Sequence, residues 1–525
     1  MDTYLLRIEG VNLDDFVFDT RNLSTVRGGS LLLLEIVSQI EDQLGRHTGV
    51  GSVSTVSRGA STGLFRIATD DPKGVVASIR TFLDSHPQVR HATIVLDAIR
   101  DEDPASDGFR LQDERLLAAN RWRQMQDASL SIPPADLDTA PPGKPACALN
   151  GIRPAVNHSD YGAPNRTDKE SFLCESAKQR HDYGRRERSR FYRRIVERGT
   201  ARSETGRAGS DLPEFTREFE SLATGMSDSH LEGKLAVFYA DGNRFGKIQT
   251  AHCTTVEKQR AFDTYFRDRR EDFLIRFLKE KILLDDRWRT LDEEGREVAR
   301  FETLLWGGDE VMFVMPAGLG WEFAGFFFET LEDLNLRKAG KNDEFPGVPL
   351  THAAALVFCH HHAPIDRLKR LAKDQMAETV KAADRETNGL LCEALESFDH
   401  LGQDYSGAIA RRYRGALPLE RKILRGAGEP LGGSLAKVGQ FVEELRNSPT
   451  FPRSGLRKLV QGMILRPESA PQQATFGPSG EAPHELRNAT PDEIHAIRTE
   501  LMPLLGGDEV SLWIQLEELW DYARP

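Results

Sequence analysis

The residues best suited to chemistry are three acids in two places. Asp241 ends the apolar run Leu235 to Ala240 and opens onto Gly242-Asn243-Arg244-Phe245-Gly246. Later, Asp309 and Glu310 follow Gly307-Gly308 at the centre of FETLLWGGDEVMFVM, residues 301–315. The first stretch reads as a strand ending in a carboxylate, the second as a hairpin with a two-residue turn. Two strands that deliver carboxylates to one sheet edge make a site for magnesium or manganese, which prefer hard oxygen ligands. Such ions neutralise phosphate charge, so the predicted chemistry is phosphoryl transfer to a hydroxyl. Asp241 and Asp309 are the expected metal ligands. Glu310 is the next candidate, although strand alternation points it away from Asp309. The backbone from Gly242 to Gly246 can cradle a triphosphate, and glycines there and at Gly307-Gly308 allow positive φ or close approach of a ligand. Lys373 or Lys381, on a later helix, can meet a terminal phosphate.

Other clusters compete for attention. Gly506-Gly507-Asp508-Glu509 repeats the central tetrapeptide letter for letter, but helical sequence lies on both sides. It reads as a helix–helix turn with Asp508 as an N-cap. His360-His361-His362 is a run of metal-binding type. Adjacent side chains on an extended chain point apart, so at most two would share an ion, and a polar strand exit is the plainer reading. Cys147 and Cys174, with His158 and His181 near, suggest a reduced zinc knuckle. Neither cysteine belongs to a C-x-x-C pair, so zinc is not expected and a polar loop packed between domains is favoured. Arg185 to Arg198 holds seven arginines and two glutamates. It reads as an RNA or phosphate contact, or as a helix face with its own ion pairs.

The acids must be positioned by larger units. From 235 to 385 the pattern gives the strand to Asp241, helical sequence from about Val256 to Trp288, the Asp309 hairpin, a helix from Trp321 to Leu336, a strand from Thr351 to Cys359, and a helix from Ile365 to Ala383 headed by Pro364. Phe262, Phe266, Phe273 and Phe277 share one helix face and read as core. The same β-α-β-β-α-β order appears earlier, in a strand at 4–10, a helix from Leu31 to Leu44, a hairpin at 53–59 and 63–68, a helix from Pro72 to about Leu83, and a strand at 92–99. Its hairpin tip, Ser57 to Ser61, carries no acid, so this unit is not expected to hold a metal. Two similar units suggest an internal duplication with unequal duties. Between them, a helix from Leu111 to Gln126 leads to a loop at Pro133-Pro134 and Pro141-Pro142. After 385 the pattern is mostly helical, broken at Gly426 to Gly433, Pro449 to Ser454, and a flexible stretch from Pro467 to Glu485. Ser511 to Tyr522 is an amphipathic end helix whose Trp513 and Trp520 can pack on the body or on a partner.

The 525 residues allow roughly two to four domains. A net charge of −12 argues against a general nucleic-acid coat while leaving room for a local basic groove. Five cysteines do not make a disulfide scaffold and favour a reducing, intracellular setting. MDTYLLRIEG has no signal-peptide character, and the apolar runs at Leu31 to Leu34 and Val311 to Pro316 are too short to span a bilayer. A cytoplasmic protein without a membrane partner is expected.

Tyr239-Ala240-Asp241-Gly242-Asn243-Arg244-Phe245-Gly246 and Leu305-Trp306-Gly307-Gly308-Asp309-Glu310, with His362-Ala363-Pro364 entering the helix of Lys373 and Lys381, resemble the palm domains of the large polymerase-like subunit of type III CRISPR effector complexes. The wider relatives are the GGDEF diguanylate cyclases. Thr20-Arg21-Asn22-Leu23 and Arg27-Gly28-Gly29-Ser30 resemble the family's non-catalytic palm. The Cys147 to Cys174 segment resembles its zinc module with half the cysteines gone, and Pro449 to Leu465 its C-terminal helical domain. The resemblance implies an α+β fold with a degenerate first palm at 1–105, an inter-palm helical and loop insert at 106–230, a catalytic-type second palm at 231–385 and a helical domain at 386–525. Both palms would be ferredoxin-like, βαββαβ.

It implies further that Asp241 and Asp309 hold magnesium or manganese, with Glu310 as a third catalytic acid. Gly242, Asn243, Arg244, Phe245, Gly246, Gly307, Gly308, Lys373 and Lys381 would bind one ATP, and a second would lie near Gly29 and Ser30. The 3′-hydroxyl of one would attack the α-phosphate of the other and release pyrophosphate, until the ring closes into a cyclic oligonucleotide used in antiviral defence. Guide or target RNA and other effector subunits are the implied partners. Two alternatives stand beside this: a catalytically weak scaffold that holds RNA through Arg185 to Arg198, and a stand-alone signalling cyclase, a homodimer. The chain departs from the family pattern at Asn243, where a second Asp is usual, and at Glu310, where the hairpin usually ends in Asp. It begins directly at the first palm, so the histidine-aspartate nuclease domain often found ahead of it is not expected.

Overall fold

The computed structural model describes residues 1–101, 108–126, 146–159, 171–202, 212–224, 230–341, 344–395, 404–469 and 483–525. β1 (Asp2–Val11), β2 (Val50–Arg58), β3 (Thr62–Thr69) and β4 (Thr93–Arg100) form an antiparallel sheet in the order β2-β3-β1-β4. Between them run α1 (Leu13–Val17), α2 (Leu23–Arg46) and α3 (Pro72–Ser85). Asp71 caps α3 by accepting from the Gly74 amide at 2.9 Å, with Pro72 in the first turn, as the Asp-Pro break suggests. α2 starts at Leu23 rather than Leu31, because Asn22 caps it through the Thr25 amide at 2.9 Å. Its polar first turns hide that beginning, for Ser24, Thr25 and Arg27 are buried against other parts of the chain.

α4 (Gly108–Gln126) lies beside β4 and β1, where Arg123 reaches Asp97 at 2.6 Å. β5 (Asn157–Ser159) and β6 (Ser171–Leu173) make a small ribbon. They lead to α5 (Glu175–Glu187) and α6 (Arg190–Arg202). A Cβ on Gly28 would stand 1.8 Å from the Arg180 carbonyl oxygen, and one on Gly184 1.9 Å from that of Ser24. α2 and α5 therefore cross backbone to backbone, a contact only glycine allows. The proline loop expected near Pro133-Pro134 and Pro141-Pro142 lies outside the described residues, as does 470–482 of the stretch expected to be flexible.

The larger sheet contains β8 (Lys234–Gly242), β11 (Glu302–Trp306), β12 (Glu310–Pro316), β13 (His352–His360), β14 (Gly389–Ala394) and β15 (Ile423–Leu424), in the order β11-β12-β8-β13-β14-β15. β8 is interior and buried on both faces, which is why its sequence is a continuous apolar run. β14 and β15 extend this sheet past the boundary expected at residue 385. They bury Leu390, Leu391, Ile423 and Leu424 in a region whose helical pattern hid them. A second small sheet of β7 (Glu214–Phe215), β9 (Arg289–Leu291) and β10 (Glu297–Ala299) was also not legible.

α7 (Phe245–His252) and α8 (Val256–Phe277) follow β8, and α9 (Gly320–Thr330) follows β12. The Phe262, Phe266, Phe273 and Phe277 stripe is buried, and Phe273 and Phe277 pack edge-on to Phe323 of α9. Each such ring contributes about 2–3 kcal/mol by burial. α8 stops at Phe277 in a widened turn, short of Trp288, and α9 ends at Thr330, short of Leu336. After β13 come α10 (Ile365–Arg370), a π-helical segment over Leu371–Ala377, and α11 (Glu378–Ala383).

The remaining helices include α12 (Leu431–Asn447), α13 (Arg453–Leu465) and α14 (Glu509–Leu519). Trp513 is fully buried and Trp520 stacks on Phe451 at 5.4 Å, so both serve the body of the fold. The two sheet units are joined by a buried ion pair, Arg27 Nε donating to Glu302 at 2.9 Å. Arg260 of α8 also donates to the Thr55 carbonyl at 2.8 Å. Among the described residues no helix is long and apolar enough to cross a membrane.

Candidate active site

The pairing of β12 with β8 places Glu310 opposite Asp241. The Gly307 amide donates to the Glu310 carbonyl at 2.7 Å, so the hairpin turns at Gly308-Asp309, and the Gly242 amide donates to the Asp309 carbonyl at 3.2 Å. All three acids therefore meet at one corner of the sheet. Glu310 leaves the face expected from simple alternation because Asp309 belongs to the turn, not to the strand. Neither Gly307 nor Gly308 uses positive φ. Gly308 instead faces open space, and a Cβ on Gly307 would lie 2.8 Å from the Glu310 carbonyl oxygen.

Burial and crowding set the charges here. Burial first, and the Asp241 carboxylate second, push the Asp309 carboxyl up to about 6. Burial also raises Asp241, against the opposing pull of Lys381. Lys381 donates to Asp241 at 2.6 Å and Lys373 to Glu310 at 2.7 Å. Burial works to lower both ammonium groups, yet their carboxylate partners raise them overall, so each stays charged. The Tyr239 hydroxyl donates to the same Glu310 oxygen at 2.7 Å and orients it.

Lys373 and Lys381 stand eight positions apart, which on a regular α-helix is about 80° around the axis. The π-helical segment Leu371–Ala377 contains Lys373 and widens the helix there, and both lysines reach neighbouring acids. Nothing in the letters announces this turn. Arg270 was missed as well. Its Nη1 donates to the Gly308 carbonyl at 2.5 Å, and its guanidinium lies 4.5 Å over the Trp306 ring, clamping the hairpin tip. Burial brings that guanidinium down to about 10. The signal was present, since Arg270 falls within the Phe266–Phe273 gap of the buried stripe.

Several expected ligand contacts have other duties. The Asn243 amide group is buried and donates to Thr351 Oγ1 at 3.0 Å and the Thr387 carbonyl at 3.2 Å, fastening the strand end to β13 and the start of β14. Phe245 is core, 4.9 Å from the Phe266 ring, and Gly242 is small because a Cβ would meet the Phe245 ring at 2.6 Å. Arg244 adopts φ 58° at the head of α7 and pairs with Glu386. Gly246 alone in this loop faces open space. Gly29 and Ser30, expected near a second nucleotide, lie inside α2 and are buried, Gly29 against α1 and Arg180.

The arginine-rich stretch bears out the ion-paired alternative. Glu187 receives Arg186, Arg190 and Arg194, Glu214 receives Arg188 and Arg193, and Arg198 meets Glu271. Cys147 and Cys174 are buried together and hydrogen-bond each other, which draws Cys147 down. His181 faces Asp182 at 3.4 Å.

Asp241 and Asp309 offer the donor type that a hard divalent cation prefers. The donors are all oxygen, and the crowding that raises Asp309 is relieved by added positive charge.

No family model and no curated protein sequence matches the chain. Among solved structures, it is similar to the Csm1-Csm4 cassette in complex with one ATP (TM-score 0.49, 14% identity, covering 100% of this chain and 70% of that one). The same cassette with AMPPNP gives 0.48 and 13%, covering 100% and 70%. Csm1 of T. onnurineus gives 0.45 and 13%, again covering 100% and 70%.

Proposed function

We propose that the chain is a metal-dependent nucleotidyltransferase that joins ATP into a cyclic oligonucleotide, releasing pyrophosphate at each step. The observation behind this is the meeting of Asp241, Asp309 and Glu310 with Lys373 and Lys381 at one sheet corner, in motifs that resemble the type III CRISPR palm subunit. Both sheets are read as ferredoxin-like palm domains, separated by an insert and followed by a helical domain. Asp241 and Asp309 would hold magnesium or manganese, and such ions supply charge neutralisation of the phosphates and a more acidic hydroxyl.

The chain's own residues do the rest. Lys373 and Lys381 are held charged by their acids and would pair with the phosphates of an incoming triphosphate. Gly308 and Gly246 leave open space for a nucleotide to approach the backbone. Arg270 and Tyr239 keep the hairpin tip and Glu310 in position. In the reaction the 3′-oxygen–phosphorus bond forms, the α–β phosphoanhydride bond breaks, and the hydroxyl proton passes to water. ATP and AMPPNP are the ligands named for two of the similar cassettes, and a place beside a Csm4-like subunit and guide RNA belongs to the same proposal.

The test is incubation of the chain, with and without its complex partners, with labelled ATP and magnesium or manganese, the products being resolved by mass. A cyclic product that disappears in Asp309→Ala supports the reading. Absence of product with partners restored, together with undiminished defence by Asp309→Ala, defeats it.

A further inference from the structure

β13 ends at His360, and the chain then reverses, with the Ala363 amide donating to the His360 carbonyl at 2.9 Å. The reversal breaks the extended geometry that would have splayed His360, His361 and His362. Their rings instead gather, with centroids 4.0 to 4.9 Å apart. One ring nitrogen from each lies within 4.8 Å of those from the other two.

The orientation of His361 suits a ligand. His361 Nδ1 faces the Gly233 carbonyl oxygen at 3.0 Å. A carbonyl only accepts, so Nδ1 carries the proton and Nε2 keeps its lone pair. That Nε2 is enclosed and hydrogen-bonds to nothing among the described residues. A ring N–H fixed on a backbone carbonyl, with the opposite nitrogen free, is how metal-bound imidazoles are oriented. His360 Nδ1 accepts from the His362 amide at 3.3 Å, a long contact that ion binding there would displace. Gly233 matters too. It adopts φ 78°, and a Cβ there would stand 3.2 Å from His360 Nε2.

We propose that the His360-His361-His362 turn is a transition-metal site, built for zinc or another imidazole-preferring divalent ion and separate from the carboxylate site. An all-imidazole donor set selects such ions, whereas magnesium needs oxygen. The two sites stand at opposite ends of the same strand pairing, since His352 pairs with Gly242 and His360 with Lys234. At 3.3 Å per residue that separation is about 26 Å. The turn leads through Pro364 into α10, whose continuation carries Lys373 and Lys381. An ion there would brace the helix that supports the active site from its far end.

The experiment is a zinc titration of the full chain against a chromophoric chelator in millimolar magnesium. Wild type is compared with His360→Ala/His362→Ala and with Cys147→Ser/Cys174→Ser, the other soft-donor pair. The expected result is one zinc per chain that survives the cysteine changes and weakens at least tenfold in the histidine variant. Cobalt in that site should give no thiolate charge-transfer band. Circular dichroism guards against a misfolded variant, and His361→Gln provides a second, independent loss of one ligand. Zinc affinity unchanged in both histidine variants, zinc lost only in the cysteine variant, or no zinc uptake by the wild type overturns the proposal.

Discussion

The tetrapeptide Gly-Gly-Asp-Glu occurs twice, and the two copies share almost nothing beyond their letters. At 307–310 the glycines avoid positive φ, the aspartate is crowded by other acids, and the glutamate is gripped by Lys373 and Tyr239. At 506–509 both glycines are left-handed, φ 92° and 76°, and Asp508 caps α14 by accepting from the Ser511 amide at 2.9 Å. In the first copy the fold holds an unfavourable arrangement of charge, and in the second the same residues relieve a helix end. Neighbouring strands and helices decide whether an aspartate destabilises or stabilises.

The contrast is broken most sharply by activity. Asp309→Ala should reduce nucleotide joining by about a thousandfold or more, as expected for loss of a metal-holding carboxylate. Asp508→Ala should leave it within about twofold, since it costs only a cap. Product quantitation on the two variants side by side checks this, and equal losses would erase the distinction.

Stability should run the opposite way. Because the Asp309 carboxyl is raised to about 6, its contribution favours folding below the unfolded value near 4 and is lost as pH climbs through 6. At pH 8 its ionisation opposes folding. Asp309→Asn should therefore raise Tm at pH 8, with the gain shrinking as pH falls toward 4, whereas Asp508→Ala should lose about 1 kcal/mol. Calorimetry at both pH values decides. The same titration means that magnesium affinity of the free protein should weaken as pH drops through about 6, because a proton then competes with the cation for the carboxyl.

The smallest difference concerns glycine. Gly507→Ala should destabilise by about 1–2 kcal/mol from its left-handed backbone, while Gly308→Ala should change stability by less than about 0.5 kcal/mol. Paired denaturant melts would show it, and a large loss at Gly308 would contradict its open surroundings.

How far the letters reached follows from the range of each interaction. Caps such as Asp71 and Asp508 and the aromatic stripe of α8 are local, and they were legible. So was the pairing of the Asp241 strand with the Asp309 hairpin, because both are apolar runs that meet an acid at one end. Arg27 looked like part of the motif of a non-catalytic palm but is a buried partner of Glu302, far along the chain. Asn243 looked like an altered ligand but is a strap to Thr351. Phe245 looked like part of a phosphate loop but fills the core. In each case the residue type was suited to the site, and only a distant partner assigned it elsewhere. β14 escaped because its strand lies in a stretch whose flanks are helical.

The π-helical segment over Leu371–Ala377 gives the site a tolerance of chain length that its residue identities do not reveal. A chain one residue shorter across this segment would close into regular helix and keep Lys381 near its present place around the axis, because about seven residues of π-helix turn as far as six of α-helix. Every named side chain would survive such a deletion, and no inspection of motifs would notice it. Among descendants of this sequence, a single lost codon there would leave Lys381 facing Asp241, whereas the same loss from a helix regular throughout would turn it away by about 100°.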